Sequence, residues 1–221
     1  ALPFDAHSPV PLALDEAGIR KVVDDFVAAA RRAHDAGFRL LEVHAAHGYL
    51  LHEFLSPLSN RREDRYGGSF DNRVRLLLEV VDAVRAAWPD DLPLWVRISA
   101  TDRAEGGWDL GQSIELARLL RERSVDLVDV SSGGLVPNAR IPLEPGYQAP
   151  FAQRIRHEAG IATGAVGLIT EPAHAEALLA DGVADVVLMG RELLRDPYFP
   201  RRAARALGAE LPSPPQYLRS W

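Results

Sequence analysis

With 221 residues, 47% hydrophobic and 25% charged, the chain has the size and balance of one ordinary globular domain with a real core. A formal charge of -6 leaves no basic footprint for nucleic acid. The absence of cysteine excludes disulfides, thiolate metal sites and cysteine-held iron–sulfur clusters.

Residues 1–14 are proline-rich and irregular, and no signal peptide is recognisable there. Asp15 reads as an N-cap, with Ile19, Val22, Val23, Phe26 and Ala30 at helical spacing and Gly37 as the stop. A strand is expected over 39–44. After it comes a long polar loop closed by Gly67 and Gly68. Ala45, Ala46 and Gly48 are small spacers at its start, against which a flat ligand could lie.

Val74, Leu77, Leu78, Val81 and Val84 share one face of a second helix that ends near Trp88-Pro89. A strand over 94–99, a helix over 111–123 and a strand over 125–131 follow. That strand runs into a flexible Ser132-Gly133-Gly134. A loop with Pro137, Pro142 and Pro145 leads to a helix over 151–159. Then come a strand over 161–166, a helix capped by Thr170 and running to 179, and a strand over 184–190. A short turn at 191–194, a helix over 200–207 and a proline-rich tail end the chain.

Strands alternating with helices predict an α/β fold with a parallel sheet. Five strands are visible, whereas a closed barrel needs eight. No strand is followed by GxGxxG or a phosphate loop. Periodicity alone leaves the architecture open. No apolar run nears the roughly 18 residues of a membrane span, so a membrane is excluded and a cytoplasmic protein expected.

The run HAAHGYLLHEFLSPLSN, from His44 to Asn60, resembles the Old Yellow Enzyme family of flavin-dependent ene-reductases. Arg65-Tyr66-Gly67-Gly68-Ser69, Asn72-Arg73, Val96-Arg97, Gly164-Ala165-Val166-Gly167 and Gly190-Arg191 continue the match. The closing Gln216-Tyr217-Leu218-Arg219-Ser220-Trp221 is similar to the tail of its bacterial, thermophilic-like branch. The resemblance implies a (β/α)8 TIM barrel of which only the last five βα units lie in this chain. Residues 1–221 would then be the C-terminal portion of a single flavin-binding barrel domain, and the chain a piece of a longer one.

The resemblance also implies FMN as cofactor and NADPH as a transient co-substrate. The expected reaction is ping-pong reduction of an activated alkene, an α,β-unsaturated carbonyl compound. His44 and His47, three apart at a strand end, can both donate to a carbonyl oxygen as an oxyanion hole. Satisfied core histidines are the bland reading. Zinc is a rival because His52 and Glu53 are near, although the His-Glu-x-x-His spacing is missing.

Tyr49 is the implied proton donor, with water as its substitute in this branch; otherwise it is a loop tyrosine stacked over the pocket. Arg97 needs an anionic partner inside the sheet's cover. The flavin pyrimidine is the implied one, with Glu42 as the structural alternative. Gly167, Gly190 and Arg191 are the implied phosphate grip.

Arg219 is expected to reach a neighbouring subunit's active site in a homodimer or homotetramer, unless it simply frays. Asp102, Arg103 and Glu105 read as a solvated loop. The other functional readings are a nitro-ester or quinone reductase, a metal-dependent barrel enzyme and a non-enzymatic barrel remnant.

Overall fold

A computed structural model describes residues 2–220. Its first long helix, α1 (Glu16–Asp35), starts where Asp15 accepts a hydrogen bond from the Gly18 amide at 2.7 Å. It stops at Gly37, whose φ of 87° only glycine adopts freely. Five strands follow: β1 (Leu41–Ala45), β2 (Leu94–Ser99), β3 (Leu127–Ser131), β4 (Ala162–Val166) and β5 (Val186–Leu188). All pair in parallel and in chain order, β1-β2-β3-β4-β5. A doubly wound sheet would reverse its order at a switch point. An unbroken sequential order is that of consecutive barrel strands.

Between the strands lie α2 (Leu50–Leu55) and α3 (Phe70–Ala87) after β1, α4 (Leu110–Arg121) after β2 and α5 (Ala149–Ala159) after β3. α6 (Pro172–Ala180) follows β4, and α7 (Arg191–Arg195) and α8 (Phe199–Ala206) follow β5. The alternation of strand residues assigns the two faces of the sheet. Val43, Ala45, Val96, Ile98, Val128, Val130 and Ala165 point to the helix layer and are at most 1% exposed. They pack against Val74, Leu77 and Val81 of α3, Ile114 and Leu116 of α4 and Ile155 of α5 in one apolar core. The opposite face carries Glu42, His44, Trp95 and Arg97, all half-buried. The ionisable side chains of the strands are confined to that face.

Several expected boundaries move. β1 starts at Leu41, two residues late, and runs on to Ala45. Within the polar loop Leu50–Leu55 forms a helix with Leu51, His52, Phe54 and Leu55 buried. Thr170 caps nothing: Glu171 is the N-cap of α6 without a side-chain hydrogen bond, and Pro172 opens the helix. β5 shrinks to three residues, since only Gly164–Val166 of β4 lies opposite it.

Candidate active site

β1 delivers His44 to the rim and the chain then turns at once. The Tyr49 amide donates to the Ala46 carbonyl at 3.2 Å, and both central residues, His47 (φ 59°) and Gly48 (φ 76°), are left-handed, as in a type I′ turn. For His47 this backbone is strained and has to be held. Its amide donates to Ser99 Oγ at 3.0 Å, and Ser99 in turn donates to the Gly133 carbonyl at 2.8 Å.

A Cβ added at Gly48 would lie 2.4 Å from the Gly134 oxygen, and one at Gly134 would lie 2.6 Å from His47 Cα. Two glycine turns are thus packed backbone to backbone. This corrects two expectations. Ala45 and Ala46 are fully buried and Gly48 faces Gly134, so these small residues serve packing between loops and not a ligand floor. Ser132-Gly133-Gly134 is the other half of the same contact and not slack. Gly48→Ala is expected to cost about 2 kcal/mol or more, from positive φ and the backbone clash together. A urea melt at neutral pH measures it, and an unchanged midpoint would refute the packing argument.

The turn gathers three rings. His44 lies 5.3 Å, centroid to centroid, from His47 and 5.2 Å from Tyr49, which is itself largely exposed. His44 Nδ1 is buried without a hydrogen-bond partner. His47 Nε2 is 2.6 Å from Ser131 Oγ. The network sets the tautomer here. Gln148 spends its amide N–H on the Val166 carbonyl, so its oxygen accepts from Ser131 at 3.2 Å and Ser132 at 2.8 Å. With its proton on Gln148, Ser131 can only accept, and His47 Nε2 carries the hydrogen.

Burial, with the Arg97 charge behind it, pushes His44 down, and the same causes take His47 from 6.5 to about 4. At neutral pH both rings are uncharged, each with one N–H to give. Because the unfolded chain binds the His47 proton more readily, His47 makes stability rise with pH from about 4 to 6.5.

Beside His44, in register across the sheet, stand Arg97 and then Asp129. Arg97 Nε lies 3.0 Å from Asp129 Oδ2, an ion pair without hydrogen-bond alignment, since neither atom has a hydrogen bond. The expected structural partner, Glu42, is displaced by Asp129, because Asp129 is Arg97's cross-strand neighbour. Glu42 sits near enough to press on both. Burial raises the Glu42 carboxyl and lifts Asp129 to about 7 against the pull of Arg97, with Glu42 adding to the rise.

The sign for Asp129 is opposite to that for His47: the fold holds its proton, so stability falls as pH climbs from 3.8 to about 7. In a series of urea melts over pH 4–7, Asp129→Asn is therefore expected to steepen the rise of stability with pH. An unchanged slope would contradict the burial of an ionisable carboxyl.

Arg97, Ser131, Gln148, Gly167, Gly190 and Arg191 line one cavity of about 430 Å³ at the carboxyl ends of β2 to β5. That is within the roughly 300–1,000 Å³ of small-molecule sites. Gly167 (φ 129°) and Leu168 (φ 52°) bend the backbone along its wall, and nothing stands within 4 Å of a Cβ at Gly190. Arg195 is paired to Glu192 at 2.7 Å, while Arg191 makes no hydrogen bond or ion pair among the described residues. α7, at five residues, is too short to add much of a dipole. The cavity thus offers an unmatched guanidinium at one wall and Arg97 at another, with exposed backbone between them. These residues suit a ligand that carries negative charge at two ends, as a flavin phosphate ester does.

Some residues escaped the sequence reading and others were misread by it. Ser131 and Gln148 line the cavity and set the His47 tautomer, yet neither residue type stands out in a chain. Asp102, expected in a solvated loop, is fully buried and bonded to His52 at 2.8 Å; Arg103, half-buried, lies over the Phe151 ring, and only Glu105 is exposed. A His and an Asp fifty residues apart give no local signal.

Among the described residues no cluster of three His, Asp or Glu side chains could hold a metal, since His52 turns away from His44 and His47. No helix among them is long and apolar enough to cross a membrane. Arg219 is exposed beyond the short 3-10 turn Pro215–Tyr217, and Trp221 lies outside the described residues.

The chain is similar to known proteins in sequence and in fold. Over all 221 residues the chain is 55% identical to the NADPH dehydrogenase of Geobacillus thermodenitrificans, and it spans 64% of that relative's length. Among solved structures it superposes on a 2-naphthoyl-CoA reductase in complex with 2-naphthoyl-CoA with a TM-score of 0.85 and 28% identity. That match covers 94% of this chain and 32% of the other. An old yellow enzyme homologue from Zymomonas mobilis matches with a TM-score of 0.74 and 29% identity, over 93% of this chain and 57% of the other. The five sequential parallel strands are a partial TIM barrel of the kind these enzymes form. Residues 4–210, which hold the histidine turn and every strand end of the cavity, match one family profile, and the chain belongs to the NADH:flavin oxidoreductase / NADH oxidase family.

Proposed function

We propose that this chain supplies the oxygen-gripping and phosphate-gripping half of an FMN-dependent NAD(P)H oxidoreductase that reduces the C=C bond of α,β-unsaturated carbonyl compounds. The observation that carries the reading is the neutral His44–His47 pair, rings 5.3 Å apart, beside the cavity lined by Arg97, Ser131 and Arg191: His47 bonds to Ser131 and His44 stands in register with Arg97, although neither histidine itself lines the cavity. Arg97 would hold the electron-rich end of the flavin ring, and Gly167, Gly190 and Arg191 its phosphate. FMN held by these residues would supply two-electron redox chemistry between NAD(P)H and the alkene.

The chain's own residues do the rest. His47, with its Nε2–H directed at Ser131 Oγ on the cavity wall, would share that hydrogen with a carbonyl oxygen arriving beside Ser131. His44, half-buried and with a buried, unpartnered Nδ1, completes the grip on that oxygen. Two donors on one carbonyl draw electron density from the conjugated alkene, so that its β-carbon accepts hydride. Tyr49, with its ring 5.2 Å from His44, gives its phenolic proton to the α-carbon.

Because one rim serves both NADPH and alkene, turnover is ping-pong. Arg219 reaches the rim from a neighbouring subunit of a homodimer or homotetramer. The likeness to an NADPH dehydrogenase and to an old yellow enzyme homologue supports the nicotinamide and flavin parts of this reading.

Anaerobic stopped-flow absorbance tests it on the purified protein. NADPH should bleach the flavin band and 2-cyclohexenone should restore it. A colourless protein, or one reoxidised by oxygen and not by the enone, would overturn the proposal.

A further inference from the structure

The left-handed turn that carries His47 is tied from below by a buried polar set that the chemistry above does not use. The Gly48 amide donates to His52 Nδ1 at 2.9 Å. A backbone amide can only donate, so Nδ1 is bare and the proton sits on Nε2, which donates to Asp102 Oδ1 at 2.8 Å. Asp102 takes two further donors on Oδ2, Ser56 Oγ at 2.5 Å and the Trp108 amide at 2.6 Å. The His52 and Asp102 side chains are 0% exposed. Gly107 is small for the same reason, since a Cβ there would meet Asp102 Oδ2 at 2.5 Å.

Three donors converge on the Asp102 carboxylate, which orients the His52 ring so that its bare Nδ1 faces the Gly48 amide. We infer that His52 and Asp102 are positioning residues: they clamp the Gly48 amide, hold the strained His47 backbone in its left-handed form and so aim the His47 ring. They touch neither substrate nor cofactor. Asp102 orients His52, His52 holds Gly48, and Gly48 fixes the residue before it. This inference rests on the proposed function for the consequence at His47, but the clamp itself can be observed separately.

Two variants of the full-length, flavin-loaded protein test it. His52→Leu fills the space without an acceptor, whereas His52→Gln can accept from Gly48 through its carbonyl and donate to Asp102 through its amide. His52→Leu is expected to lower kcat/KM for 2-cyclohexenone roughly tenfold to a hundredfold, the usual size of a small misplacement of a catalytic group. His52→Gln should recover most of that.

In the same proteins, Gly48 amide exchange should speed up about tenfold or more in the Leu variant and stay near wild type in the Gln variant. Nitrogen-15 spectra of labelled histidine should show His52 with a bare Nδ1. Wild-type kcat/KM in a Leu variant that has lost Gly48 protection would overturn the aiming role. A protonated Nδ1 on His52, or unchanged Gly48 exchange in the Leu variant, would overturn the clamp. If the wild type does not reduce the enone, the proposed function falls, and the exchange and nitrogen spectra still decide whether His52 clamps the turn.

Discussion

His44→Ala and His47→Ala are each expected to slow enone reduction by about a hundredfold to a thousandfold, the roughly 3–4 kcal/mol that one preset oxyanion donor contributes. The physical case is that both rings are held neutral by burial, so that each keeps one N–H without the desolvation cost of a charge. His47 has its hydrogen fixed on Nε2 by the Gln148–Ser131 pair before any substrate arrives. If both donors act on one oxygen, as proposed, the double variant should lose less than the product of the single losses. Stopped-flow reoxidation of the reduced protein by 2-cyclohexenone gives the rate constants, and flavin content and urea midpoint serve as controls. A single variant that reoxidises as fast as wild type, with flavin retained, would remove the oxyanion role.

Asp102→Ala is expected to be the most destabilising exchange in the loops, at about 3–5 kcal/mol. It strands three buried donors at once: His52 Nε2–H, the Ser56 hydroxyl and the Trp108 amide. Each unpaired buried group costs about 1–3 kcal/mol, and collapse of the surroundings recovers part of the sum. For a chain of this length that corresponds to a fall in Tm of about 10 °C. Equilibrium urea unfolding with matched m-values measures it. A loss below about 1 kcal/mol would mean that water enters and replaces the carboxylate. Asp102→Asn keeps an acceptor and should fall well short of the alanine loss.

The two exchanges separate local chemistry from local architecture. His44 stands on the half-buried face of the sheet and His47 in the turn just beyond it, where a truncated ring leaves the core untouched. Asp102 stands where α2, the end of β2 and the start of α4 meet, so its loss is felt in the fold first and at His47 second.

Much of the framework was legible in the chain itself. The period of α3, the Asp15 cap and the apolar cores of β1 to β4 come from local spacing, which side-chain geometry forces on any helix or strand. Arg97, Gly167, Gly190 and Arg191 could be singled out because the family resemblance marks them; charge or glycine at a strand end alone would have been weak evidence. The errors have one origin. Glu42 stood in for Asp129, Asp102 was read as solvated, and Gly48 and Gly134 were read as floor and slack. In each case the true partner lies on another strand or loop, and a linear pattern carries no register between them.

By itself, then, the sequence determined the alternation of strands and helices, the polar rim at the strands' carboxyl ends and the residue types able to grip an oxygen and a phosphate. Only the tertiary structure decided the sequential parallel order of the strands, the pairing of Arg97 with Asp129, the hydrogen position on His47 and the buried clamp under Gly48. The reason is physical. Helical and strand periods are set by neighbours within a few residues, whereas a hydrogen bond between residues 52 and 102 exists only after the core has brought two loops within 3 Å.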